Sequence, residues 1–145
     1  MENQRRGFPS ELFQRIVRDA PEAVIFADQA GIVRLWNRGA EEIFGHSEDD
    51  AVGQSLDLII PEGLRERHWQ GFRGVMQQGK ESRYGRRDLL RVPAMRKDGV
   101  QISVEFSLQV VEVSGERLAV ATLRDATEQW ETVRELRRRL ADLKS

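Results

Sequence analysis

The sequence predicts an α+β fold in a single domain: a five-stranded antiparallel sheet with short helices and one longer helix on one face, and an amphipathic helix at each end. Three observations predict it. Ile102, Val104, Phe106, Leu108 and Val110 alternate with Gln101, Ser103, Glu105, Ser107 and Gln109, the period of a strand with one buried face. Within IPEGLRERHWQGFRGVMQQG, residues Leu64, His68, Phe72, Val75 and Met76 share one helical face, and Arg65, Glu66, Arg73 and Gln77 share the other. The period also switches from strand to helix and back along the chain, with turn signals between the segments.

Composition narrows the function classes. With 145 residues, 39% apolar and 32% charged, the chain fits one globular domain with its own core. A net charge of -1 gives no electrostatic case for nucleic acid or an anionic membrane. No apolar run approaches a membrane span and MENQRRGFPS has no signal-peptide apolar region, so a cytoplasmic protein is expected. The absence of cysteine excludes disulfides, thiolate metal sites and thiol redox switching. His46 and His68 are the only histidines, so a zinc site would need carboxylates to complete its ligands. No nucleotide-binding glycine loop or nucleophile motif is present, and Glu41-Glu42 and Asp49-Asp50 read as solvated charge, so the chain is expected not to be an enzyme.

In chain order, residues 1–20 form an amino-terminal unit, in which Pro9-Ser10 starts a helix with a stripe of Leu12, Phe13, Ile16 and Val17 that ends before Pro21. Residues 21–127 form the core. AVIFADQAGIVRLWN reads as a hairpin about Asp28 to Gly31. Asn37 caps a short helix through Ala40, Ile43 and Phe44 to Gly45, and Ser47 caps another turn. Pro61 and Gly63 suit the start of the longer helix and Gly79 its end, about four turns later. Leu89 to Met95 is a candidate strand that Pro93 assigns to an edge or a bulge, and Lys97-Asp98-Gly99 is a turn. Ser114-Gly115 turns into a last strand from Arg117 to Leu123. In residues 128–145, Val133, Leu136, Leu140 and Leu143 recur at spacings of three and four, a coiled-coil seam of about two heptads.

In this order the segments resemble the PAS sensory domain. The resemblance rests on Asp28-Gln29-Ala30-Gly31-Ile32-Val33, Trp36-Asn37-Arg38-Gly39-Ala40-Glu41-Glu42-Ile43-Phe44-Gly45, Val52-Gly53-Gln54, Arg96-Lys97-Asp98-Gly99 and Arg124-Asp125-Ala126-Thr127, and covers residues 12–127. The family's usual ending is Asp-Ile-Thr; here Ala126 stands in the middle, while Asp125 and Thr127 keep the groups that the resemblance implies relay a signal to the following helix.

Within that family, PEGLRERHWQGF is most similar to the haem-binding PAS domains of rhizobial oxygen sensors, where a Pro-Glu pair and an arginine precede the proximal histidine. Pro61, Glu62, Arg65 and His68 match residue by residue. The resemblance implies haem b on His68, with a diatomic gas as the sensed ligand. Leu64, Trp69, Phe72, Val75 and Met76 would surround the histidine, and Phe106 and Leu108 would face the open coordination site. Those sensors also carry a gas-binding arginine on the next strand. Counting back from Asp98-Gly99 puts Leu90 there and Arg91 one residue away. A one-residue shift reverses the face, so Arg91 reaches the pocket only if Pro93 marks a bulge.

Each of these residues has a plainer reading. His68 also fits a core histidine with a hydrogen-bonded ring. Trp36 reads as packing, His46 as a surface residue, and Arg83, Arg86, Arg87 and Arg91 as a solvated loop or an anion site. Three functions follow: a haem-based gas or redox sensor, a PAS module for another small ligand such as a flavin or an organic acid, and a ligand-free dimerisation module. In all three, Leu12, Phe13, Ile16, Val133, Leu136, Leu140 and Leu143 are candidate homodimer contacts. The chain is expected to act as a separate subunit or as part of a longer receptor with an output partner.

Overall fold

The computed structural model describes residues 7–79 and 90–144. Leu89, Arg83, Arg86 and Arg87 lie outside the described residues. The elements run α1 (Ser10–Asp19), β1 (Ala23–Ala27), β2 (Val33–Trp36), α2 (Arg38–Phe44), α3 (Glu48–Ala51), α4 (Arg65–Gln78), β3 (Leu90–Met95), β4 (Gln101–Val113), β5 (Glu116–Asp125) and α5 (Thr127–Lys144). The five strands form one antiparallel sheet in the order β2-β1-β5-β4-β3. Both α+β class and five-stranded sheet agree with the sequence.

Local chemistry explains the turns. Asp28 Oδ1 accepts from Ala30 N and Ile32 N, each at 3.0 Å, and Gly31 takes φ +77°, which reverses β1 into β2. Arg96 N donates to Val100 O at 2.9 Å around the Lys97-Asp98-Gly99 turn. Lys97 N also reaches Phe44 O at 2.8 Å and ties this turn to the end of α2. Ser114 and Gly115 both have positive φ, the turn that suits a twisted two-residue hairpin, so β4 and β5 run farther than the alternating pattern alone marks. The segment expected as one helix entered at Pro61 and Gly63 divides: Glu62–Leu64 is a 3-10 turn and α4 begins at Arg65.

Asn37 ties the layers together. Its Oδ1 accepts from Val24 N at 2.8 Å and from Ala40 N at 3.0 Å, capping α2. Its Nδ2 donates to Val17 O at 2.8 Å and Glu22 O at 3.0 Å, which fastens the end of α1 to the start of β1. Gly39 lets this crossing close up, because a Cβ there would lie 2.2 Å from Glu22 O.

The core lies between the sheet and the helices of the middle segment. Ala23, Ile25, Val33, Ala94, Ile102, Val104, Ala119 and Leu123 from the sheet meet Trp36, Phe44, Phe72, Val75 and Met76. Burial of each large side chain contributes about 1.5–3 kcal/mol. By contrast, α1 and α5 bury none of their residues fully, and Phe13, Ile16, Leu136, Leu140 and Leu143 are exposed.

Candidate functional site

The candidate site lies between α4 and the sheet face opposite it. Side chains of successive strand residues alternate between faces, so residues 102, 104, 106, 108 and 110 of β4 point to the side of the core. Opposite partners share a face, which places Leu90, Phe106, Leu123 and Ala23 in one row across the sheet. Leu108, Ala121 and Ile25 form the next row. Phe106, Leu108 and Ala121 pack on the core yet stay half-buried, so the middle of this face is only partly covered. Ala121, opposite Leu108, is the small side chain of this middle part.

On the helix side Phe72, Val75 and Met76 are buried, and Leu64, His68 and Trp69 are half-buried. His68, Trp69 and Phe72 form an aromatic group: the His68 ring centroid is 4.7 Å from that of Trp69 and 6.0 Å from that of Phe72. His68 Nδ1 is buried without a hydrogen-bond partner among the described residues, a state that folded proteins rarely leave uncompensated. Burial lowers the His68 pKa, against a smaller pull from Asp57 in the other direction, so the imidazole is held neutral. Neutral imidazole is the metal-binding form.

Asp57 organises the approach to this helix and has no local sequence signal. Its Oδ1 accepts from Trp69 Nε1 at 2.8 Å, and its carbonyl accepts from Arg65 Nη2 at 3.2 Å. Arg65 Nε also donates to Ile60 O at 3.1 Å, so this arginine fastens the first turn of α4 to the preceding segment. At the other end, Arg117 Nη1 donates to Met76 O at 2.7 Å and Gln77 O at 3.0 Å. An arginine from β5 thereby satisfies carbonyls that the helix end leaves free.

Two expectations are corrected. The β3–β4 register runs without a shift from Leu90 opposite Phe106 to Met95 opposite Gln101, so Pro93 makes no bulge and Arg91 does not reach the α4 side. It lies on the outer face, where Nε donates to Glu105 Oε2 at 3.1 Å. Pro93 is accommodated because β3 is an edge strand. His46 is not a simple surface residue either. It is half-buried, edge-on to Trp36 at 6.2 Å, with a buried Nε2 that lacks a partner among the described residues, and its carbonyl accepts from Trp36 Nε1 at 2.9 Å.

Asp125 and Thr127 meet at the start of α5. Thr127 Oγ1 donates to Asp125 Oδ1 at 2.6 Å and accepts from Ser103 N at 3.0 Å, linking the helix to β4. Ala126 is buried and its N donates to Ser103 O at 2.8 Å. Among the described residues no three His, Asp or Glu side chains converge as a metal site. A haem iron asks a protein for as little as one imidazole.

The fold and its sequence motifs have known counterparts. The PAS fold family matches residues 11–126. The chain belongs to the PAS family. An uncharacterized protein of Azorhizobium caulinodans is 36% identical to this PAS domain over 134 residues, which are 91% of the chain and 18% of that protein. The sensor protein FixL of Bradyrhizobium diazoefficiens is 30% identical over 117 residues, 81% of the chain and 23% of FixL. The chain therefore spans less than a quarter of these curated relatives. The crystal structure of a PAS domain from Colwellia psychrerythraea superposes with a TM-score of 0.69 at 21% identity, covering 82% of this chain and 98% of that one, a likeness of fold. PAS domains are sensory modules, and no helix among the described residues is long and apolar enough to cross a membrane.

Proposed function

We propose that this PAS domain holds haem b through His68 and senses a diatomic gas or a redox change, which it passes on through α5. The observation that carries this reading is His68 itself: an imidazole kept neutral by burial, beside an apolar helix face, with a buried ring nitrogen that none of the described residues satisfies. The match of Pro61, Glu62, Arg65 and His68 to haem-binding relatives supports it, and so does the partly covered sheet face across from α4.

When bound, haem supplies an iron that takes up a gas or changes oxidation state. The chain's own residues do the rest. Phe72, Val75 and Met76 exclude water from the helix side. Arg65 and Asp57 fix the first turn of α4 and hence the position of His68. Leu90, Phe106 and Leu108 present an apolar wall from the sheet. With Arg91 turned outward, the described residues of that wall include no arginine, and they select an occupant by size and apolar contact.

Asp125 and Thr127 join the sheet to α5 and form the exit of the signal. Leu12, Phe13 and Ile16 of α1, with Leu136, Leu140 and Leu143 of α5, are exposed apolar contacts for a homodimer, and Val133 completes the α5 seam. A cytoplasmic setting and a downstream signalling partner complete the proposal.

The test is an absorption spectrum of protein produced with added haem, beside His68→Ala and His46→Ala prepared identically. A stoichiometric Soret band that persists in His46→Ala and disappears in His68→Ala is expected. A band unchanged by His68→Ala would move the ligand elsewhere. No band in any of the three would leave a PAS module for a flavin, an organic acid or dimerisation alone.

A further inference from the structure

The outer face of the sheet, away from α4, carries one continuous polar row. Arg91 stands opposite Glu105, and Glu105 opposite Arg124. Arg91 Nε donates to Glu105 Oε2 at 3.1 Å and Arg124 Nε donates to Oε1 of the same carboxylate at 3.4 Å. The Glu105 side chain is only 13% exposed, whereas those of the two arginines are 50% and 58% exposed. A sheltered carboxylate shared by two guanidinium groups binds them better than an isolated surface pair does.

The same Arg91 guanidinium lies over Trp130 of α5, 4.9 Å from the ring centroid. Arg137, two turns farther along α5, approaches that ring at 5.8 Å. Trp130 thus follows the Thr127 attachment by about one helical turn. A helix fixed at its first residue alone can swing about that point. A second contact one turn on sets its direction.

We propose that Arg91, Glu105, Arg124 and Trp130 form a clamp that sets the direction of α5 and carries strand displacements on the α4 side of the sheet to that helix. Arg91 follows Leu90 in sequence and Glu105 precedes Phe106. Leu90 and Phe106 face the site while Arg91 and Glu105 face α5, because neighbouring strand side chains take opposite sides. A backbone shift that relieves crowding at Leu90 or Phe106 therefore moves Arg91, which lies over Trp130, and Glu105, which holds Arg91. The clamp stands whatever occupies the site, and its two-part test can fail while haem binding by His68 succeeds.

The experiment is hydrogen exchange on the full chain, following amides of residues 127–137 in α5 against those of β1 and β2. Glu105→Gln keeps the shape and removes the charge. It is expected to speed exchange in α5 by about two- to fivefold, the factor that losing one exposed cation–π or shared ion-pair contact gives, while β1 and β2 keep their rates. Trp130→Leu is expected to do the same. Unchanged α5 rates in both variants would overturn the clamp, and an equal rise in β1, β2 and α5 would overturn it too by assigning these residues to global stability. For transmission, Phe106→Ala is expected to alter α5 exchange in the parent and to add nothing in Glu105→Gln. Equal effects in both backgrounds would overturn that part.

Discussion

The indole of Trp69 occupies the space a side chain on Gly31 would need: a Cβ at residue 31 would fall 2.1 Å from Trp69 Cη2. The pair joins α4 to the β1–β2 turn, and the hydrogen bond from Trp69 Nε1 to Asp57 Oδ1 keeps the ring in place. Gly31 also has φ +77°, a conformation unfavourable for residues with a Cβ. Gly31→Ala is therefore expected to destabilise the domain by about 2–4 kcal/mol, strain and overpacking together. Urea denaturation checks the size, and a double-mutant cycle checks the cause. If the indole is responsible, Trp69→Ala removes part of the Gly31→Ala penalty; strict additivity would show that the ring moves aside freely.

Asn37 predicts a contrast between two substitutions. Asn37→Ala leaves Val24 N and Ala40 N without their shared acceptor and frees the carbonyls of Val17 and Glu22. For a buried group of this kind a loss of about 2–4 kcal/mol is expected. Asn37→Asp restores the acceptor but turns an anionic oxygen toward the Val17 and Glu22 carbonyls, so it is expected to recover little or none of the loss. Thermal or urea unfolding of the two variants measures this. An aspartate as stable as the parent would mean that the amide donor has no role in fastening α1.

The fold was legible because its turns and one strand are encoded locally. Asp28, Asn37, Gly45, Ser47 and the Lys97-Asp98-Gly99 turn each act within a few residues, and the alternation from Gln101 to Val110 marks a face without reference to anything distant. His68, Phe72, Val75 and Met76 likewise share a helical face by spacing alone. What stayed hidden depends on partners far along the chain. Asp57 meets Trp69 across 12 positions, Arg117 meets Met76 across 41, and Trp130 meets Arg91 on the outer side of the sheet. Arg91 shows the limit most clearly: its side was undecided in the sequence because Pro93 fits both an edge strand and a bulge, and only the pairing with β4 decides between them. His46 reads as a surface residue because Gly45 and Ser47 mark its neighbourhood as a turn, while the Trp36 ring against it comes from the end of β2.

Arg117 predicts a local effect on α4. Its guanidinium joins the carbonyls of Met76 and Gln77 to Glu112, whose Oε2 accepts from Arg117 Nε at 3.2 Å. Arg117→Met preserves the apolar stem and removes the donors. The expected loss is about 1–2 kcal/mol, reduced from the full value of a charged hydrogen bond because the side chain is partly exposed. Hydrogen exchange should quicken first in the last turn of α4, at residues 74–78, ahead of its first turn. Arg117→Lys is expected to recover part of the loss, since an ammonium still complements the helix end but cannot reach two carbonyls and Glu112 together. Uniform exchange changes along α4 would count against a capping role.

His46 makes stability depend on pH with a definite sign. Burial lowers its pKa from 6.5, and Lys97 adds to the shift, while Asp50 and the Leu58 carbonyl oppose it. Its buried Nε2 has no hydrogen-bond partner among the described residues. In the unfolded chain the imidazole titrates near 6.5. Below that pH the unfolded state binds a proton that the folded state resists, so its contribution to stability is complete above 6.5 and is lost as pH falls through the lowered folded value. Urea midpoints at about pH 7.5, 6.5 and 5.5 should therefore fall on acidification, and fall less in His46→Gln. His68 shares the sign of the shift, so the variant keeps part of the slope. Equal slopes in parent and His46→Gln would show that the folded protein admits the His46 proton as easily as water does.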